Sequence, residues 1–134
     1  MAYTDLMVAV AEPRPIAADV AAALARLIQL MSLPLGWDGE SAAAPDPTAL
    51  RNAMLFLIEQ IPTGPAPSVG PGIDGSVEME WELPARPMAT ITFGPGEAAY
   101  LAAFTSDEVL TDAMIRDRTS LANGLLRTLA GDGR

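Results

Sequence analysis

The hydrophobic period of this chain changes from helical to strand-like near its middle, and that change limits the folds open to it. Up to residue 61 apolar residues recur at helical spacing. In "SVEMEWEL", residues 76–83, they alternate strictly with glutamate. Val77, Met79, Trp81 and Leu83 then point one way, and Glu78, Glu80 and Glu82 the other. This is the pattern of a strand with one face in a core and one in water. A slip of one residue would bury three carboxylates, so the register is strongly fixed. Asp74-Gly75 is a hairpin turn signal that pairs this strand with Ser68 to Ile73. After "PARP", the run "MATITFG" places Ile91 and Phe93 on one face and Thr90 and Thr92 on the other. Gly94-Pro95-Gly96 turns the chain again, and "EAAYLAAF" reads as a fourth strand, although alanine is a poor strand former.

Two helices precede the strands. Ile16, Val20, Leu24, Leu27, Ile28 and Met31 follow helical spacing, with alanines between them, and Pro34 and Gly36 end the pattern. Asp46 suits an N-cap and Pro47 a first helical position. Behind them Leu50, Ala53, Met54, Leu57, Ile58 and Ile61 make one face, which Leu55 and Phe56 widen. A helix apolar over most of its circumference is usually central. Leu6 to Ala11 is apolar and short, a strand or a helical turn. At the other end Ser106 suits the cap of a last helix along Leu110, Met114, Leu121, Leu125 and Leu129. The seam of that helix breaks at Asp117-Arg118-Thr119, so it reads as one long helix or two short ones. The expected fold is α+β: two N-terminal helices, a three- to four-stranded antiparallel meander and a C-terminal helix, in a single domain spanning residues 1–134.

Composition narrows the chemistry. The net charge is -9, with 17 acids against eight cations, all of them arginine. Such a chain repels nucleic acid. It has neither cysteine nor histidine, which removes thiolate nucleophiles, ordinary zinc sites and the usual general base. No Gly-x-Ser-x-Gly elbow and no Ser-x-x-Lys pair occurs, and "GPGIDG" opens no helix with a lysine. No cofactor is expected, and an enzyme of unknown class is the least favoured reading. The start "MAYTDLMVAV" has no positive n-region, and no apolar run reaches the ~18 residues that span a bilayer. The expectation is a soluble cytoplasmic protein without a membrane partner.

Gly36-Trp37-Asp38-Gly39-Glu40 sits between the two helices. Trp37 lies among turn residues, where an exposed indole would be costly, so it is expected to fold back and pin the loop. The functional alternative is a recognition lip made by Trp37, Asp38 and Glu40, or a cation held by Asp38, Glu40 and Asp46. The residues "LPLGWDGESAAAPDPTALRNAMLFL" and "PSVGPGIDGSVEMEWEL" resemble an uncharacterised family of small bacterial proteins. Its members carry a Gly-Trp-Asp-Gly loop before a helix and a strand reading roughly Asp-Gly-x-Val-x-x-Glu-Trp. The resemblance covers residues 33 to about 93. It implies no activity, but it makes loop, helix and hairpin one module. Ser41-Ala42 departs from the glycine that follows the acid in that family.

The functional reading is a non-enzymatic acidic module that binds a basic protein, in the manner of an inhibitor or antitoxin. Glu78, Glu80 and Glu82 are the binding row, about 13 Å from first to last, with Asp38 and Glu40 as further contacts. Complementary charge speeds such association. The alternative is a structural or assembly protein, a homodimer through the alanine-rich first helix and the Leu121-Leu125-Leu129 edge of the last.

Overall fold

Asp46 and Pro47 start a helix as their chemistry requires. The Asp46 carboxylate accepts from the Ala49 backbone N–H at 3.0 Å, and Pro47 occupies the first turn. In the computed structural model, which describes residues 15–82, 88–95, 99–104, 109–115 and 117–130, this helix is α2, Pro47–Gln60, and it follows α1, Ala18–Leu30. The backbone N–H of Ala17, before α1, donates to the Pro62 carbonyl beyond α2 at 2.9 Å, so the start of one helix meets the end of the other. The buried stripe of α1 runs Val20, Ala23, Leu27, Leu30. Ile16, Ile28 and Met31, expected on that stripe, are exposed.

Five strands follow: β1 Ser68–Pro71, β2 Val77–Trp81, β3 Met88–Phe93, β4 Ala99–Phe104 and β5 Val109–Ile115. They form one antiparallel sheet in sequential order. The α+β class and the meander agree with the sequence reading, and the sheet carries one strand more. Residues 109–115, expected in the last helix, pair with β4 instead. Val109, Thr111 and Ile115 are β-branched, and a whole open edge of β4 was available to pair with them. The break at Asp117-Arg118-Thr119 is where strand gives way to helix. Asp117 caps α3, Arg118–Leu129, by accepting from the Ser120 N–H at 3.0 Å and the Ser120 hydroxyl at 2.7 Å. Expectations for Leu6 to Ala11, for Leu83 and for Ser106 fall outside the described residues.

All three helices pack on the sheet face that carries Val77, Met79, Trp81, Ala89, Ile91, Phe93 and Leu101. Phe56 of α2 stands in the middle of this core, with its ring centroid 6.4 Å from Trp81, edge-on, and 5.8 Å from Phe93. The Trp81 indole N–H donates to the Pro65 carbonyl at 2.9 Å, so its burial leaves no orphan donor. α2 touches both α1 and α3, the central place its wide apolar surface implied. Leu121, Leu125 and Leu129 are buried in this same core. They are spent inside the protomer, and the expected dimer edge along α3 does not exist as a surface.

Candidate functional site

The period-2 pattern of β2 decides which face the sheet leaves bare. Val77, Met79 and Trp81 are buried, Glu78 is exposed and Glu80 is half-buried on the opposite face. Register extends that face across the sheet. One row runs Gly70, Glu78, Thr92, Tyr100, Met114, and the next runs Ser68, Glu80, Thr90, Ala102. Tyr100 is 40% and Met114 65% exposed, so no described element covers this side. Glu78 and Glu80 are two residues apart, about 7 Å along the strand. Each faces a threonine, which offers a hydroxyl and no charge. Among the described residues the one ion pair joins Arg118 to Glu59 at 3.1 Å, far along the chain from this row. Glu82 lies one residue beyond β2 and is exposed. The expected row of three is therefore two rungs on the sheet and one acid past the end.

Asp38 and Glu40 sit on a different element, the loop between α1 and α2. The chain leaves α1 in a tight tail, with the N–H groups of Met31, Ser32 and Leu33 each donating three residues back. Two turns follow. Trp37 N–H donates to the Pro34 carbonyl at 3.1 Å, and Gly39 N–H to the Gly36 carbonyl at 2.9 Å. Gly36 has φ +77°, as the third residue of the first turn requires. Its place is thus inside a turn, six residues past the end of the helix it was expected to close. The Asp38 carboxylate accepts from the N–H of Glu40 at 2.9 Å and of Ala42 at 3.2 Å. The Glu40 N–H, ahead of any cost of burial and aided by that of Ala42, holds the carboxyl below its usual range.

The loop then fastens to the rest of the fold. The Trp37 indole N–H donates to the Ala43 carbonyl at 2.9 Å, with the ring partly covered. Ala43 N–H donates to the Ile73 carbonyl, and Asp46 N–H to the Gly75 carbonyl, both at 2.8 Å. Residues 43–46 therefore lie along the β1–β2 turn, and loop, helix and hairpin are joined through backbone bonds. Trp37 and Asp38 are committed to this clamp, Asp46 caps α2, and Glu40 is exposed. Among the described residues no cluster of three acids is placed to hold a metal ion.

A surface that the sequence pattern did not single out lies on the helical layer. Met31, Pro45, Pro47, Leu50, Arg51, Met54, Leu55 and Ile58 line a groove of about 420 Å³. The signal was present in the sequence: both helices carry more apolar residues than one buried stripe can use. Among the described residues no helix is long and apolar enough to cross a membrane. Comparison with protein-family models, with curated proteins and with solved structures returns no match for this chain.

Proposed function

We propose that this chain is a non-enzymatic, cytoplasmic protein-binding module whose bare sheet face docks a positively charged protein, in the manner of an inhibitor or antitoxin. The observation that carries the reading is the pair of glutamates, Glu78 and Glu80, which form no ion pair among the described residues, on a face that also presents Tyr100 and Met114. Protein interfaces combine an aromatic or methionine centre with polar surroundings, and this face has both. The net charge of -9 adds long-range attraction for a basic partner and repulsion for nucleic acid. Glu82 extends the acidic surface beyond β2. Asp38 and Glu40 supply further negative charge on the α1–α2 loop, with Asp38 acting mainly as that loop's hydrogen-bond acceptor.

The test is a comparative capture from the native host. Tagged wild type and the triple variant Glu78→Gln, Glu80→Gln, Glu82→Gln are used side by side. A basic protein retained by the wild type and lost from the variant supports the reading. Equal retention by both moves the contact off this face. Self-association is the second reading, and it rests on α1, where Ala21, Ala22, Ala25 and Ile28 are exposed. Light scattering that reports a dimer in dilute solution, broken by Ala22→Glu, would favour it.

A further inference from the structure

We infer that the groove between the end of α1 and the outer side of α2 binds a medium-chain alkyl carboxylate, with the head group on Arg51 and the tail along Met54, Leu55 and Ile58. This site is distinct from the sheet face and does not depend on it. Leu50, Arg51, Met54, Leu55 and Ile58 recur at the spacing of one helical face, and the fully buried residues of α2, Ala49, Ala53, Phe56 and Leu57, occupy the other. Met31, Pro45 and Pro47 close the near end.

A volume of about 420 Å³ falls in the range of small-molecule sites, about 300–1,000 Å³. Seven of the eight lining side chains are apolar, and Met31 and Ile58 are 62% and 43% exposed. That is apolar surface without a cover, which an alkyl chain would take out of water. Two methionines in the lining adapt readily to an irregular chain.

Arg51 sets the head group. It is the only charged lining residue, it is exposed, and among the described residues the one ion pair belongs to Arg118 and Glu59. Guanidinium binds a carboxylate through two parallel hydrogen bonds. Asp46, the nearest acid in sequence, does not line the groove, and its carboxylate is turned onto the Ala49 N–H. Arg51 stands one turn into α2, and Ile58 lies seven residues further, about 10 Å along the axis and enough for a tail of about eight to ten carbons. A chain of net charge -9 disfavours anions everywhere else, so a preference for the anion here is attributable to one residue.

The experiment titrates the full chain, isotope-labelled for backbone amide NMR, with decanoate, decan-1-ol and decylammonium in turn. Decanoate is expected to move the amides of residues 47–58 saturably, and to bind about fivefold or more tighter than the alcohol, as a charge-assisted contact implies. Arg51→Gln, a change at an exposed side chain, should erase that preference and leave the affinity for the alcohol unaltered. Three results overturn the inference: no saturable shift in residues 47–58, equal or tighter binding of the alcohol or the amine, or a preference for decanoate that survives Arg51→Gln.

Discussion

Replacing Trp37 separates a structural clamp from a recognition lip. An indole buries ~150–250 Å² when enclosed, and since Trp37 is partly covered the lower end applies; at ~25 cal/mol/Å² this is about 4 kcal/mol. The Nε1–H bond to the Ala43 carbonyl at 2.9 Å adds about 1 kcal/mol. The denatured chain already hides part of this area, so Trp37→Ala should cost about 3–4 kcal/mol. Trp37→Phe keeps most of the ring contact and loses the donor, so it should cost about 1–2 kcal/mol. Against a total of about 5–15 kcal/mol both variants stay folded and measurable. The assay is urea unfolding followed by far-ultraviolet circular dichroism, with unchanged slope as the check that only stability moved. A cost below about 1 kcal/mol for Trp37→Ala would refute the clamp and return the indole to the surface as a contact.

Gly75 has φ +91°, and a Cβ there would stand 3.2 Å from the Ala44 carbonyl; Gly39 has φ +84° with open space around it. Gly75→Ala should therefore lose about 2 kcal/mol or more and Gly39→Ala about 1, and equal costs would mean that residues 43–46 do not pack on the hairpin. Leu125→Asp should abolish cooperative unfolding in a thermal melt, since Leu125 lies in the core; a folded variant that merely changes oligomeric state would contradict its burial. The carboxyl groups of Asp38, Asp74 and Asp117 are held below 3.8, by the Glu40 N–H, the Ser76 side chain and the Ser120 side chain respectively. Their folded pKa values lie below the unfolded ones, so their stabilisation is complete above the unfolded value and fades as pH falls through the folded one. The urea midpoint should drop below about pH 4, and Asp117→Asn should flatten that drop; an identical acid profile would exclude the Ser120 contact as its source.

The strand legible as "SVEMEWEL" was legible because its period is 2 and its polar partner is always glutamate, so only one register avoids buried charge. Asp46-Pro47 was equally plain, since cap and first-turn chemistry are local. The last third was not. In "VLTDAMI" leucine, alanine and methionine suit a helix as well as a strand, and the deciding term is pairing with β4, a long-range contact that no local window contains. Leu121, Leu125 and Leu129 were recognised as a stripe, but a stripe does not say whether it meets its own sheet or another protomer. The groove stayed hidden for a related reason. Ile28 and Met31 fit the helical spacing of α1, but its buried stripe runs Val20, Ala23, Leu27, Leu30 and leaves them outside the core. The acidic rungs were visible, and what packing adds is that no described element covers them.

The central claim is that Glu78, Glu80 and Glu82 steer a basic partner onto the bare sheet face. Stopped-flow association of the captured partner, at rising ionic strength, measures that steering with least interpretation. Exposed charges act over a Debye length of about 8 Å at physiological salt, so the wild-type rate constant should fall as salt rises. Removing all three charges should slow association severalfold at low salt and flatten the salt dependence, while leaving stability within about 0.5 kcal/mol. An association rate that ignores both salt and the triple substitution would contradict the account, and the three glutamates would then be a solvated face with no part in binding.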